Sequence, residues 1–338
     1  MVHAFDSNLP TPVLSTRPEP TTHAPAKPFL KWVGGKTQLL DQLLRLAPPS
    51  FNGYHEPFLG GGAMFFALAR EGRLEGKDVQ LCDVNHELVD TYLAIRDRVR
   101  SVVLHLSAHR HERAYYYEVR SQDPSKLSPS ARAARMLYLN RCGFNGLYRV
   151  NRKGEFNVPF GRYTNPRICD EQNLLAASRA LSRARVSHRD FEHVLEQTRP
   201  GDFVYFDPPY VPLSASSSFT SYAKGGFGEP EQERLARLFE QLSANGVFCM
   251  LSNSDAEWVR ERYSDFRVLP VLARRNVNSN PDRRGPITEV VVLGYDPAKK
   301  SLRPARIPEE RISNRPHVPP TAPKDRFTAS QRPRRLDD

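Results

Sequence analysis

Asp207-Pro208-Pro209-Tyr210 is the stretch of this sequence most able to do chemistry. It follows the apolar run Phe203-Val204-Tyr205-Phe206, so it stands at the carboxyl end of an expected buried strand. Two prolines fix φ and remove two backbone donors, leaving carbonyls presented by a rigid loop. A carboxylate beside a proline carbonyl is an acceptor-only pair suited to an –NH2 group, and the adjacent tyrosine ring can stack on a flat base. A second stretch, Phe58-Leu59-Gly60-Gly61-Gly62-Ala63, follows one expected strand and opens a helix. Glycines there admit close backbone approach to a ligand and leave helix N–H groups free. Asp83 ends the next expected strand, 23 residues after Gly60. That is where a carboxylate can accept from ribose hydroxyls. A nicotinamide dinucleotide and S-adenosylmethionine (AdoMet) both fit this geometry, although the glycine spacing departs from GxGxxG.

The elements that must position these residues read as α/β. Short apolar runs at Tyr54–Phe58, Val79–Cys82, Phe203–Phe206, Val247–Leu251 and Val290–Leu293 are expected strands. Helical patterns fall at Ala63–Arg70, Glu87–Leu106, Glu229–Ala244 and Ala256–Tyr263. The alternation predicts a mostly parallel sheet with ligands beyond the strand carboxyl ends, at a switch point. Charge divides the 338 residues further: residues 96–170 carry 15 Lys/Arg against 6 Asp/Glu, whereas 29–95 and 171–298 together net −4. A basic insertion in a nearly neutral scaffold points to a polyanionic partner more sharply than the overall +11 does. We therefore expect a first catalytic part at 29–95, a recognition insert at 96–170 and a second catalytic part at 171–298. Residues 1–28 hold six prolines, and 299–338 hold 11 basic and 5 acidic residues, so both ends are expected to be disordered. Four scattered cysteines without a CxxC pair oppose a disulfide framework or a Cys-rich zinc site. With no apolar run of about 20 residues and no signal-like start, a cytoplasmic protein without a membrane role is expected.

The order of these motifs resembles the alpha class of amino-directed DNA methyltransferases. Lys31-Trp32-Val33-Gly34-Gly35-Lys36 is similar to the opening motif of Dam-type DNA adenine methyltransferases. So are the stretches Leu139 to Arg149 (LNRCGFNGLYR) and Gly154 to Tyr163 (GEFNVPFGRY), and the segment from Asp207 to Tyr222. The similarity spans roughly 29–296 and leaves both tails outside. It implies an AdoMet-dependent, Rossmann-like catalytic sheet with an inserted helical and hairpin target-recognition domain. It also implies an enzyme that methylates adenine N6 in double-stranded DNA, within GATC, by base flipping. The same acceptor pair could serve cytosine N4, and a catalytically idle DNA-binding regulator is a further alternative. Phe144 stands where the family commonly has Tyr.

By that resemblance Trp32, Lys36, Asp83 and Asp207 contact AdoMet, with Glu56, Phe58, Gly60 and Gly62 lining the site and Asp190-Phe191 near the cofactor adenine. Trp32 can pack against a cation, and Lys36 can pair with a carboxylate. Asp207 and the Pro208 carbonyl would accept both N6 hydrogens and Tyr210 would stack on the flipped base. No metal is needed for this chemistry. Asn145-Gly146 is a strong hairpin-turn pair, and the hairpin Gly143–Asn151 is expected to read sequence. Arg149 suits guanine, while Asn145 or Phe144 can probe the step beside the flipped base. Leu147 and Pro159 line the same module, and Lys31 reads another base. Asn151, Asn157 and Arg162 are expected to be backbone contacts. A monomer is expected, with a cognate restriction endonuclease as the one further partner considered.

Overall fold

In the computed structural model the described residues are 25–36, 38–213, 227–273 and 287–298. Strands Gly53–Glu56 (β1) and Phe203–Phe206 (β4) are buried at every position, as the centre of a sheet covered on both faces requires. They lie side by side in parallel, Tyr54 opposite Phe203 and His55 opposite Val204. Outward from β1 come Asp78–Asp83 (β2) and Ala184–His188 (β3), both parallel to it. Outward from β4 comes Phe248–Ser254 (β5), also parallel. Ile287–Leu293 (β7) then runs antiparallel between β5 and the edge strand Arg267–Ala273 (β6). The order is β3-β2-β1-β4-β5-β7-β6. The chain steps outward on one side of β1 and then restarts at β4 on the other. The β1/β4 boundary is therefore the switch point, and both chemistry-bearing motifs leave the sheet there.

Alternation along the strands divides the core in two. Tyr54, Leu81, Phe203, Tyr205, Met250 and Val291 face one cluster, packed with Leu40–Leu46 (α1), Ala63–Arg70 (α2), His86–Ser107 (α3) and Glu171–Leu181 (α6). Val204, Phe206, Cys249, Leu251, Val290 and Val292 face the other, under Glu229–Ala244 (α8) and Glu257–Arg262 (α9), with the short Val194–Gln197 (α7) at its margin. Among the described residues Arg113–Ser121 (α4) and Pro129–Cys142 (α5) are the remaining α-helices, and α5 packs along α3. Asn85 caps α3 through its side chain and Ser128 caps α5, with Pro129 at the first helical position.

The expected elements are present within one or two residues at their ends, except that β5 runs on three residues to Ser254 and β7 starts three residues early, at Ile287. Two strands escaped the sequence reading for identifiable reasons. β3 (ARVSH) is a polar edge strand, and β6 carries Pro270 inside it. Proline interrupts a central strand but is tolerated where only one neighbour is paired. The expected insert boundary at residue 96 falls inside α3, which runs through it with non-helical angles at Arg98. The disorder expected for 1–28 and 299–338 lies outside the described residues, apart from 25–28. There Lys27 exchanges two backbone hydrogen bonds with the Asn173 side chain, and Ala26 packs on the core, so composition placed the ordered body's start a few residues late. The cysteines are free, and among the described residues no helix is long and apolar enough to cross a membrane.

Tyr92 of α3 joins the core to the glycine turn: it is fully buried and its hydroxyl donates to the Gly60 carbonyl at 3.1 Å. Tyr92→Phe keeps the packing and removes that bond. The expected cost is about 1 kcal/mol, read as a fall of roughly 2–4 °C in a thermal melt; an unchanged melting temperature would show that the bond contributes nothing.

Candidate active site and nucleic-acid interface

Beyond β1 the chain turns through Gly60 (φ +46°) and Gly62 (φ +66°), conformations that favour glycine. Space is as restrictive as φ: a Cβ on Gly60 would stand 2.8 Å from Trp32 Cδ1, and one on Gly62 2.8 Å from the Tyr92 hydroxyl. The Gly60 N–H donates to Asp83 Oδ2 (3.0 Å) and the Asn85 N–H to Oδ1 (2.9 Å), which fixes the carboxylate at the end of β2. Burial raises the Asp83 pKa, and these backbone donors pull it back. Next to it, Val84 is 61 % exposed, an apolar side chain left open beside an oriented carboxylate. Gly62 is the N-cap of α2 and offers no side-chain cap. The backbone arrangement expected for a ribose-bearing ligand is therefore present.

The lining residues separate. Phe58 stacks on Phe191 (5.3 Å between centroids, 23°), and Phe227 meets both edge-on. Arg234 covers Phe191 at 4.9 Å and pairs with Asp190 at 3.0 Å, so the Asp190-Phe191 segment is held against Phe58. Glu56, by contrast, points inward and is 2 % exposed. Its Oε2 accepts from the Tyr54 hydroxyl (2.7 Å) and from the Phe65 N–H in the first turn of α2 (3.1 Å). Burial, with Asp207 and Asp83 nearby, pushes its pKa up to about 8.

The Asp207–Tyr210 loop is clamped from below. Gln232 of α8 donates to the Pro209 carbonyl (2.7 Å), and Asn253 of β5 accepts from the Val211 N–H (3.0 Å). Ser254 donates to the Val211 carbonyl (2.5 Å). Pro208 is buried. Asp207 Oδ1 lies 2.7 Å from the ammonium of Lys36, itself only 4 % exposed. That ammonium also donates to the Gly34 carbonyl and sits 4.7 Å over the Tyr210 ring. The Tyr210 hydroxyl donates to Glu289 Oε2 of β7 at 2.7 Å, which fixes the ring. Burial raises the Asp207 pKa and Lys36 opposes the rise. The carboxylate that Lys36 meets in this structure is thus Asp207. Gln232, Asn253 and Glu289 were not anticipated. Their signal was faint: a polar side chain within an otherwise apolar strand or helix face.

On the insert, the turn at Asn145-Gly146 forms as expected, with φ of +53° and +64° and the Leu147 N–H donating to the Phe144 carbonyl. The expected hairpin Gly143–Asn151 does not pair across it. Gly143 bridges Phe160, and Val150 bridges Phe156 around a second turn at residues 151–154. The reason is Tyr148, drawn down to stack on Trp32 (5.5 Å, 26°) and to donate to Glu87 (2.9 Å), which pulls the second arm away from the first. Phe144 is 46 % exposed, Asn145, Pro159 and Arg162 are exposed, and Leu147 packs on the core edge. Arg149 donates to Asn157 Oδ1 (2.7 Å) and to its carbonyl (3.2 Å), so Asn157 supports that guanidinium. Asn151 closes its own loop onto Glu155 and Lys153. Lys31 places its ammonium 4.1 Å over the Tyr163 ring.

Comparison with known proteins identifies the family. A family model described as D12 class N6 adenine-specific DNA methyltransferase matches residues 32–277. The Type II methyltransferase M1.LlaDCHI of Lactococcus lactis subsp. cremoris is 43 % identical over 277 residues, covering 80 % of this chain and 95 % of that protein. The Type II methyltransferase M.MjaIII of Methanocaldococcus jannaschii is 40 % identical over 288 residues, 80 % and 99 % of the two chains. A DNA adenine methylase of Haemophilus influenzae is 32 % identical over 273 residues, 79 % and 93 %.

The buried Glu56 generates a stability prediction with a definite sign. Its folded pKa, about 8, lies above the ordinary carboxylate value of 4.5. Its contribution is thus full below the unfolded value and lost as pH rises through the folded one. Glu56→Gln keeps the shape and an acceptor but does not titrate. The variant should gain on the parent, by on the order of 1 kcal/mol or more, between about pH 5 and pH 8.5 in denaturant unfolding; a pH-independent difference would show that Glu56 does not titrate in this window.

Proposed function

The chain belongs to the D12 class N6 adenine-specific DNA methyltransferases, and from that premise we propose that it methylates adenine within GATC in double-stranded DNA, using AdoMet and a flipped target base. One observation carries the reading: the Asp207 carboxylate, half-buried at the switch point and 2.7 Å from the buried Lys36 ammonium, stands beside a proline-stiffened loop and a fixed tyrosine ring. The residues present fit the cofactor. Gly60 and Gly62 let Trp32 and Tyr92 pack directly on the turn, Asp83 is oriented by two backbone donors, and the start of α2 carries no side-chain cap. When bound, AdoMet supplies an electrophilic methyl group on a sulfonium. Trp32 suits that cation, and Asp83 suits the ribose hydroxyls.

The chain's own groups then do the rest. The N6 lone pair of adenine is delocalised into the ring and is a poor nucleophile. Asp207 and the Pro208 carbonyl, accepting both N6 hydrogens, draw the nitrogen towards tetrahedral geometry. Tyr210, pinned by Glu289, offers a face for the base. The catalytic contribution is position and preorganised acceptors. A carboxylate set in a crevice at the sheet's end cannot reach an amino group stacked inside the duplex, which supports flipping. Residues 96–170 would carry recognition on the catalytic parts 29–95 and 171–298, with Arg149 reading guanine from the support of Asn157. A monomer suits a palindromic site methylated one strand at a time. The Type II methyltransferase names of two relatives support a partner endonuclease of the same specificity.

Three outcomes test this reading. DNA from a methylation-deficient host expressing the chain should resist an endonuclease that cuts only unmethylated GATC, and full cleavage with methyl groups on other adenines would replace the target. Arg149→Ala should relax discrimination at one base pair by about 1–3 kcal/mol. Asn157→Ala should follow it at the same base pair, whereas Arg162→Ala should weaken all sequences alike. Asp207 must be ionised to accept, and burial raises its pKa. Turnover at saturating cofactor should therefore fall on the acid side at a pH above the ordinary carboxylate range. Lys36→Met, which removes the opposing ammonium, should move that limb higher still; a downward shift in the pH–rate profile would contradict the assignment.

A further inference from the structure

Asn140 is 1 % exposed at the end of α5, and its amide uses every group it has on two separate segments. Its Oδ1 accepts from the Lys31 N–H at 2.8 Å. Its Nδ2 donates to the Lys31 carbonyl at 2.7 Å and to the Gly146 carbonyl at 2.8 Å. Lys31 lies 109 residues away along the chain, whereas Gly146 closes the Asn145-Gly146 turn. The clamp is tight on the far side too. A Cβ on Gly146 would stand 2.5 Å from Lys31 Cδ and 2.7 Å from its Cβ, so the lysine stem lies directly across the turn before its ammonium reaches Tyr163.

We propose that Asn140 is a positioning residue for target specificity, fixing the register between Lys31 and the Phe144–Leu147 turn so that both meet the DNA in one geometry. The inference rests on the reading of those two segments as base contacts. The residue type follows from the count of groups. One acceptor and two donors are needed on one short, buried side chain, and only an amide supplies them. Asp would set a carboxylate against two carbonyl oxygens, and an aliphatic residue would leave three backbone groups without their partner. Two further contacts brace the same region, the Phe144 N–H donating to the Pro159 carbonyl and Tyr148 stacking on Trp32, but it is the Asn140 amide that hydrogen-bonds both the Lys31 backbone and the turn. A shift of the turn against Lys31 would thus leave the acceptor site at Asp207 untouched while misplacing a base contact.

The test maps methylated sites in DNA from a methylation-deficient host expressing the parent chain, Asn140→Asp or Asn140→Ala, alongside Lys31→Ala and Phe144→Ala. The Asn140 variants should relax the motif, with about tenfold lost discrimination at one base pair. The affinity for AdoMet, measured by calorimetry, should stay within about twofold. A merely structural role would instead lower the melting temperature and slow methylation at every site alike. If Lys31→Ala and Phe144→Ala relax the motif and folded Asn140 variants do not, the base contacts stand and this proposal falls. If Lys31→Ala and Phe144→Ala also leave the motif unchanged, the reading beneath it falls as well. Should the Asn140 variants fail to fold, Gly146→Ala disturbs the same register from the other side, and an unchanged motif there overturns the proposal.

Discussion

The constraint on which the rest depends is a half-buried carboxylate, Asp207, held at the end of β4 against a buried ammonium. Burial favours its protonated form and a nearby cation its ionised form, and the chemistry proposed above needs the latter. Lys36, at 2.7 Å, opposes the rise that burial imposes on the Asp207 pKa. The requirement is sharpened because Asp207 and Asp83 both raise the pKa of Glu56, so three carboxylates crowd the carboxyl ends of β1, β2 and β4. Each is satisfied differently: Asp207 by a cation, Asp83 by backbone N–H groups, and Glu56 by a tyrosine hydroxyl, a backbone N–H and a raised pKa. Removing one partner from such a buried set costs more than the pair itself contributes, since it strands a charge.

The scaffold around this cluster explains why the site sits where it does. β1 and β4 are adjacent and parallel, and their loops diverge to opposite sides of the sheet. The divergence opens the crevice that the glycine turn and the Asp207–Tyr210 loop share. Clamps from elements late in the chain then stiffen it: Gln232 and Asn253 hold the loop backbone, and Glu289 holds the tyrosine. Tyr92 and Trp32 stiffen the glycine turn from the other side.

Much of this was legible in the sequence, for physical reasons that can be named. Strands buried on both faces are rich in apolar residues, so β4 and the first half of β5 announced themselves, while β1 hides His55 and Glu56 on buried partners; α8 kept the period of one buried face, and α2 is apolar over five successive buried positions. Glycines at positive φ and a proline-stiffened loop at a strand end were visible because few other residues can do what they do. The edge strands were not visible, since one-sided pairing relaxes the demand for apolar residues. Contacts between distant segments were also hidden. Tyr148 is as compatible with a paired hairpin arm as with a stack on Trp32, and only the folded chain decides between them. Glu56 shows the reverse hazard: a carboxylate next to a ligand loop in sequence can turn inward and serve the helix behind it.

The segment from Lys31 to Lys36 shows how few residues join recognition to chemistry. Lys31 lies across the Asn145-Gly146 turn, and Trp32 is wedged between Gly60 and Tyr148. Lys36 reaches Asp207, while Gly34, at φ +80°, lends it a carbonyl and bends the chain back. A residue inserted here would have to displace either the lysine that pairs with Asp207 or the one that bears on the turn. The two glycines between them are therefore as much a part of the site as the charged groups they separate. Their backbone sets the distance between the part of the protein expected to choose a sequence and the part that acts on it.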